Sequence, residues 1–170
     1  MDKFTLITPR LTLRPLTAAD YNPIVDMVTD WDVVRMLARW PWPPDLSMVD
    51  DLIASNRADP TRGFGIQYGR DLAGTIGAGP RIGFMLRRGF WGLGIMTEAL
   101  WAVQRHAIID RGQAALRACV FVDNPGSHAV FRKCGWREVG QSRSTSAARG
   151  GEVDDIIYAL NAADIGHDHS

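Results

Sequence analysis

Apolar and polar positions alternate from Leu6 to Leu16 in a stretch rich in Thr and Leu, the period-two signature of a strand with one buried face. Pro9 interrupts the alternation and Pro15 ends it, so the pattern predicts one bent or edge strand. At Thr17 the period lengthens. An N-cap Thr17 with Asp20 three residues on precedes Ile24, Val25 and Val28 at helical spacing, although Pro23 limits the regularity of that helix. From Trp31 to Pro44 no period holds. Trp31, Trp40, Trp42 and three prolines mark an irregular, aromatic-rich connection, after which Ser47 with Asp50 repeats the capping signal and predicts a helix to about Ala58.

Period two returns between Gly63 and Leu86. GFGIQYG, AGTIG and RIGFML read as three short strands separated by Gly and Pro turns, an antiparallel meander. The clearest helix follows over Thr97 to Arg111, with Met96, Ala99, Leu100, Val103 and Ala107 as a stripe that faces the sheet and Gly112 as the stop. Leu116 to Val122 is almost continuously apolar, as expected of a strand covered on both faces. DNPGS then turns into a short helix, Ser127 to Lys133, stopped at Gly135. Strand signals at Trp136 to Gly140 and Asp155 to Leu160 flank SRSTSAARGG, which reads as a mobile loop. No internal repeat is evident. The order of four strands, helix, strand, helix and strand is an α+β layout with a mixed sheet.

A chain of 170 residues fits one domain, burying roughly 70% of its unfolded surface. Hydrophobic content of 46% and charged content of 22% exclude disordered, collagen-like and membrane classes. Lys plus Arg and Asp plus Glu number 19 each, so no global field attracts nucleic acid or an anionic membrane, and an anionic ligand must be held locally. Cys119 and Cys134 form no CxxC pair and suggest a reduced, cytoplasmic setting. The start MDKFTLITPRLTLRPL lacks the apolar core of a signal peptide and the ~20-residue run of a spanning helix. The tail GHDHS reads as a fraying end, giving a single domain over residues 1–164 and a flexible tail over 165–170.

Candidate chemistry concentrates in IGFMLRRGFWGLGIMTEAL, where a strand, a glycine-bearing turn and a helix start follow in direct succession. Gly92 and Gly94 let the backbone approach a ligand closely, and the unpaired N–H groups of the helix's first turn favour an anion such as phosphate. A glycine turn before a helix also occurs for structural reasons alone, so named motifs must decide. A P-loop fails because the chain has no Gly-Lys pair. The dinucleotide fingerprint fails because Gly92, Gly94 and Thr97 leave its third glycine missing, and Asp110 falls at a helix end where a ribose acid would follow the next strand.

WGLGIMTEAL resembles the acyl-CoA motif of the GNAT superfamily, written Gln/Arg-x-x-Gly-x-Gly/Ala, in the WGKGYATEAL form of its RimJ/RimL-like branch of ribosomal-protein alanine N-acetyltransferases. That branch opens with TPRLxLRPLxxxD, matched by Thr8 to Asp20, and carries DNxxS and then a lysine with GF, matched by Asp123 to Ser127 and Lys133 to Trp136. Three motifs in order span about residues 7–160. The resemblance implies the GNAT acyl-CoA N-acyltransferase fold, a mixed, mostly antiparallel sheet splayed in the middle with helices on both faces. The splay would lie between the strands ending near Leu86 and Val122. Phe84, Met85 and Leu86 would pair with pantetheine like an added strand. Trp91, Gly92, Leu93, Gly94, Ile95, Met96 and Thr97 would hold the pyrophosphate. Asn124 would contact the pantetheine or acyl group, and Ser127 would lie near the thioester sulfur as the candidate general acid.

The implied activity is direct acetyl transfer from acetyl-CoA to a primary amine, a protein N-terminus or a small molecule, without metal, nucleic acid or membrane, in a family that often forms dimers. Departures are visible: Met96 stands where the motif prefers Gly or Ala, Trp91 stands at the Gln/Arg position, and Phe131 stands where many members have a tyrosine acid. Each candidate also has a structural reading. Ser127 could be a helix cap, Glu98 a dipole complement in place of a base, and Arg87 and Arg88 solvated residues in place of phosphate ligands. Asp154 and Asp155 read as solvated, His106 and His128 lack metal spacing, and the three Trp read as core packing before acceptor pocket. Two other functions compete: a noncatalytic CoA-binding or regulatory module, and a nucleotide-binding protein resting on the glycine turn alone.

Overall fold

The computed structural model describes residues 3–165. The last five residues of the expected tail lie outside the described range, and Ile165 closes a short helix, α6 (Ala162–Ile165).

The opening alternation is not one strand. Leu6–Ile7 (β1) folds back antiparallel on Leu11–Arg14 (β2), with Leu6 opposite Leu13. Pro9 has no N–H to give a ladder, and Thr8 closes the turn instead: its N–H donates to the Leu11 carbonyl and its Oγ1 accepts from the Leu11 N–H, both at 3.0 Å. Gly63–Tyr68 (β3), Asp71–Gly77 (β4) and Phe84–Leu86 (β5) continue the sheet as the expected antiparallel meander, in the order β1-β2-β3-β4-β5. Gly74 is required there, because a side chain at this position would collide with the Met85 carbonyl of the neighbouring strand. A second sheet has the order β6-β8-β7, from Ala115–Phe121, Gly151–Asn161 and Arg137–Ser146.

One parallel bridge between Arg81 and Arg117 joins the two sheets. Ile82 N–H donates to the Arg117 carbonyl at 2.9 Å, and Arg117 N–H donates to the Pro80 carbonyl at 2.8 Å. Beyond it β5 and β6 part, producing the mixed, centrally splayed sheet that the sequence predicts.

Helices cover both faces. On one face, α1 (Tyr21–Val28), α2 (Trp31–Val34) and α3 (Ser47–Ala58) bury Ile24, Met27, Val34 and Val49 against Leu72 and Met85. On the other, α4 (Ile95–Arg105) and α5 (Pro125–Lys133) pack on the sheets, and the predicted stripe of α4 is fully buried. α4 begins two residues earlier than expected, and its α-helical bonding stops at Arg105. A wider turn over His106–Asp110 follows, closed by the Arg111 N–H donating to the His106 carbonyl before Gly112 (φ 68°). Asp20 reaches back to the Thr17 N–H at 2.8 Å and takes Arg14 on both oxygens. The predicted Ser47 cap is replaced by Asp45, whose carboxylate accepts from both the Ser47 N–H and its hydroxyl. Buried Gln104 ties α4 to the chain after α5, donating to the Cys134 carbonyl and accepting from the Trp136 indole.

Three expectations fail in the second half. β6 alternates, with Arg117 and Cys119 exposed, because α1 to α3 cover the first sheet and leave much of this face of the second open. SRSTSAARGG is no mobile loop: its first half, Ser142 to Ser146, is strand in a long β7-β8 hairpin, with residues 147–150 as the turn. Asp155 is fully buried and accepts from the hydroxyls of Ser142 and Ser144, two serines whose pairing the local sequence does not announce. Asp154 does stay exposed, paired with Arg143.

Candidate active site

The register of β4 and β5 decides which backbone groups face the opening. Gly77 N–H donates to the Gly83 carbonyl and Arg87 N–H to the Ala73 carbonyl, so odd residues of this segment bond to β4 and even ones point away. Ile82, even, meets β6; Phe84 and Leu86, also even, meet the gap where β6 has diverged. Met85, grouped with them in the sequence reading, spends its backbone on Thr75 and buries its side chain among α1 to α3. Across the gap, the Phe121 carbonyl accepts from the Asn124 N–H and from His128 Nε2, both at 3.0 Å. An extended polar chain can therefore pair with a preformed strand edge at Phe84 and Leu86.

That edge leads to the glycine turn. Gly92 (φ 75°) and Gly94 (φ 74°) are left-handed, and a Cβ would meet nothing within 4 Å at Gly92, so backbone handedness and not crowding selects glycine. Trp91 is half exposed and donates its indole N–H to the Leu86 carbonyl at 2.9 Å, binding the turn to the end of β5. Glu98 N–H makes the first intrahelical bond, to Gly94, leaving the amides of Ile95, Met96 and Thr97 at the positive end of α4. Met96 is buried, so its size does not intrude on this anion-facing side, and Leu93 is exposed at the rim.

Glu98 is locked. Its carboxylate accepts from the Thr8 hydroxyl at 2.6 Å, the Arg10 N–H at 2.9 Å and Arg10 Nε at 2.7 Å, while Arg10 Nη1 donates to the Leu93 carbonyl at 2.8 Å. Burial pushes Glu98 up, but the bonds from Thr8 and Arg10 outweigh it and hold the carboxyl below its ordinary value. The opening TPR tripeptide and the glycine motif thus meet as one clamp under the turn.

At the other lip, Asn124 caps α5: its Oδ1 accepts from the Ser127 N–H at 3.2 Å and its Nδ2 donates to Ser127 Oγ at 3.0 Å. Ser127 is therefore not the cap, and among the described residues its own hydroxyl donates to no acceptor. Phe131 is buried, stacked between Phe84 and Tyr158 with centroids 5.3 Å away on each side. His128 Nε2 faces a carbonyl, which can only accept, so it carries the hydrogen, and Nδ1 lies 2.6 Å from the Tyr158 hydroxyl.

A glycine-cradled helix start, a free strand edge and an Asn-capped helix thus converge on one split between two sheets. The family model of the acetyltransferase (GNAT) domain matches residues 10–137. The chain belongs to this family. Its GNAT fold is shared with an acetyltransferase of the GNAT family from Bacillus anthracis, at 18% identity and a TM-score of 0.81 over 94% of this chain and 99% of that one. The microcin C7 self-immunity acetyltransferase MccE, in complex with acetyl-CoA and AMP, matches at 20% identity and 0.74 over 91% and 93%. RimL, a ribosomal-protein α-N-acetyltransferase in complex with coenzyme A, matches at 22% identity and 0.77 over 92% and 96%. No curated protein sequence matches the chain.

The far side of the split in this GNAT domain is covered by α2 and the β7-β8 turn. Arg87 and Arg88, open between phosphate and solvent in the sequence, are taken up by carboxylates at the α1–α2 edge: half-buried Arg87 pairs with Asp26 at 3.1 Å, and Arg88, which stays exposed, with Asp30 at 2.7 Å and Asp32 at 3.1 Å. Trp31 and Trp42 meet edge to face at 5.3 Å, both 40% exposed, so they leave the core that the sequence assigned them. Arg149, which sequence reasoning passed over inside a supposed loop, bonds Asp123 with both terminal nitrogens at 2.9 and 3.1 Å. The Arg149 bonds pull Asp123 below its usual range, against a smaller opposing push from burial. A separate groove of about 1000 Å³ runs along the outer face of α4 from Gly94 and Thr97 to Ile109, and only its turn end touches the split. Among the described residues no cluster of three or more His, Cys, Asp or Glu is placed to hold a metal, and no helix is long and apolar enough to cross a membrane.

Proposed function

We propose that this GNAT domain transfers an acetyl group from acetyl-CoA directly to a primary amine, a protein N-terminal α-amine or a small-molecule amine, within a ternary complex. The observation that carries the reading is the β5 edge at Phe84 and Leu86, which has no neighbouring strand among the described residues and which the Trp91 indole ties to the left-handed Gly92 and Gly94 turn. Phe84 and Leu86 pair with the amides of pantetheine as an added strand, and the amides of Ile95, Met96 and Thr97 hold the pyrophosphate. A free N–H on the β5 edge polarises the thioester carbonyl and stabilises the tetrahedral oxyanion. The amine nitrogen forms the new C–N bond, the C–S bond breaks, and Ser127 Oγ–H gives its proton to the departing thiolate while the water that takes the amine's proton returns one to Ser127 Oγ. Asn124 Nδ2, donating to Ser127 Oγ, leaves that proton free to point at the sulfur.

The acids flanking the split are occupied, Glu98 by Thr8 and Arg10 and Asp123 by Arg149. An α-amine with a pKa of ~8 needs far less help to deprotonate than a lysine at ~10.4, so water suffices as the proton acceptor. The test is an acetyl-CoA turnover screen over N-terminal peptides, amino acids, polyamines and aminoglycosides, with Ser127→Ala alongside. Thiol release with at least one amine is expected, with kcat lowered ~10²-fold in the variant and CoA affinity retained. CoA binding without turnover on any acceptor would mark a noncatalytic module, and unchanged kcat would remove Ser127 from the step.

A further inference from the structure

Arg149 holds three separate segments around the split. Its Nε donates to the Arg35 carbonyl at 2.7 Å and Nη2 contacts Met36 Sδ at 3.5 Å, which fixes the end of α2. Its two terminal nitrogens take both oxygens of Asp123, and its guanidinium lies 5.2 Å from the centre of the Phe121 ring. Its own backbone is pinned, with the Arg149 N–H donating to the buried Ser146 hydroxyl at 3.1 Å and the neighbouring Ala147 N–H to the Ala38 carbonyl at 2.9 Å. The guanidinium side chain is only 22% exposed. Planar, bidentate engagement of a carboxylate is specific to arginine, and lysine cannot reproduce the fork.

Asp123 is the residue immediately before Asn124. The turn it opens bonds back on itself, Asn124 N–H to the Phe121 carbonyl and Ser127 N–H to Asn124 Oδ1. Whatever fixes the Asp123 carboxylate therefore fixes the direction in which Asn124 and Ser127 leave β6. The same guanidinium fixes the α2 cover on the opposite side.

We propose that Arg149 is a positioning residue for acetyl transfer, clamping the acceptor-side cover and the Asp123-Asn124-Pro125 turn into one geometry so that acceptor and thioester meet in register. This rests on the reading above that Asn124 and Ser127 stand at the thioester. Small displacements of reacting groups cost rate steeply, whereas the pyrophosphate contacts at Gly92 to Thr97 lie on another element.

Arg149→Met, Arg149→Lys and Asp123→Asn test it in the full chain. Arg149→Met is expected to lower kcat by about tenfold or more and raise KM for the amine, with the Kd for CoA by titration within about twofold. Arg149→Lys recovers little of the loss, and Arg149→Met with Asp123→Asn together costs no more than either alone, as expected of one unit. Amide exchange supplies a readout independent of turnover: exchange at Asn124, Ser127 and Ala147 should quicken in Arg149→Met, with β3 and β4 unchanged. Unchanged exchange at those three amides overturns the clamp whether or not the enzyme turns over. Quickened exchange with a normal kcat overturns the positioning role. Wild-type chain that binds CoA but acetylates no amine defeats the proposed function instead, and the exchange result still decides the clamp.

Discussion

At the scale of single residues, the Glu98 carboxylate shows how an acidic side chain next to a cofactor-type turn can be occupied by structure. Three donors from Thr8 and Arg10 converge on it, which is a poor state for a base and a good one for a clamp. Glu98→Gln should destabilise the fold by about 1–3 kcal/mol at pH 7, because it removes charge-assisted bonds, while kcat per folded molecule stays within about threefold. A hundredfold loss of kcat at normal stability would instead make Glu98 the base. The pH dependence has a defined sign. A carboxyl whose folded pKa is depressed adds stability above its unfolded pKa, about 4.3 for Glu, and loses it as pH falls through the lower folded value. The gap in urea midpoint between wild type and Glu98→Gln should therefore be open at pH 6 to 7 and close below about pH 4. Asp20 behaves with the same sign: burial raises it, but hydrogen bonds from Arg14 and Thr17 prevail. Legibility at this scale is uneven. Gly92 and Gly94 stand out in the chain because a tight backbone turn restricts residue type, and Asn124 because it falls in the DNxxS motif of the family. Arg149 and Asp155 carry no such restriction, and their partners are Asp123, Arg35, Ser142 and Ser144, reached only through the fold.

Elements show the same division. The meander, the α4 stripe and the two glycine stops were readable because each is a local pattern meeting one buried face. β1 and β2 read as one bent strand because the alternation resumes after the break at Pro9, and only the Thr8 bonds to Leu11 turn it into a hairpin. The Ser/Arg/Gly stretch before β8 read as a loop because its polar residues face solvent, the buried Asp155 and their own hairpin partner. The odd-even alternation of β5 makes a sharp prediction: saturating CoA should slow amide exchange at Phe84 and Leu86 and leave Met85, already bonded to β4, unchanged by hydrogen-exchange NMR. Equal protection at all three would contradict the strand-addition geometry. Gly74→Ala places a methyl group against the Met85 carbonyl and should cost about 1–3 kcal/mol in denaturant unfolding, with loss of CoA affinity as β5 shifts.

Across the whole molecule, two sheets share one isolated bridge among the described residues and diverge, so acetyl-CoA bound as the proposed added strand would complete the centre of the sheet. Binding should stabilise the fold by about 2.7 kcal/mol at CoA a hundredfold over its Kd, read as a concentration-dependent rise in Tm. The two thiols report on the same architecture. Cys119 is exposed on the open face of β6, whereas Cys134 is buried against α4 and its thiol is pushed up to about 11 by burial. A thiol reagent at pH 8 should label one cysteine per native chain and two after unfolding, with Cys119 identified by mass spectrometry. Labelling of Cys134 in the native chain would contradict the packing of α5 on α4. By itself the sequence determined the family, the β3-β4-β5 meander, the buried stripe of α4 and the glycine turn, because those depend on periodicity and on backbone signs that few residues tolerate. Only the tertiary structure decided which edge of β5 lies open, that Glu98 is spoken for, and that Arg149 spans the split. Those properties depend on register and on contacts between segments as much as 114 positions apart, which no local pattern encodes.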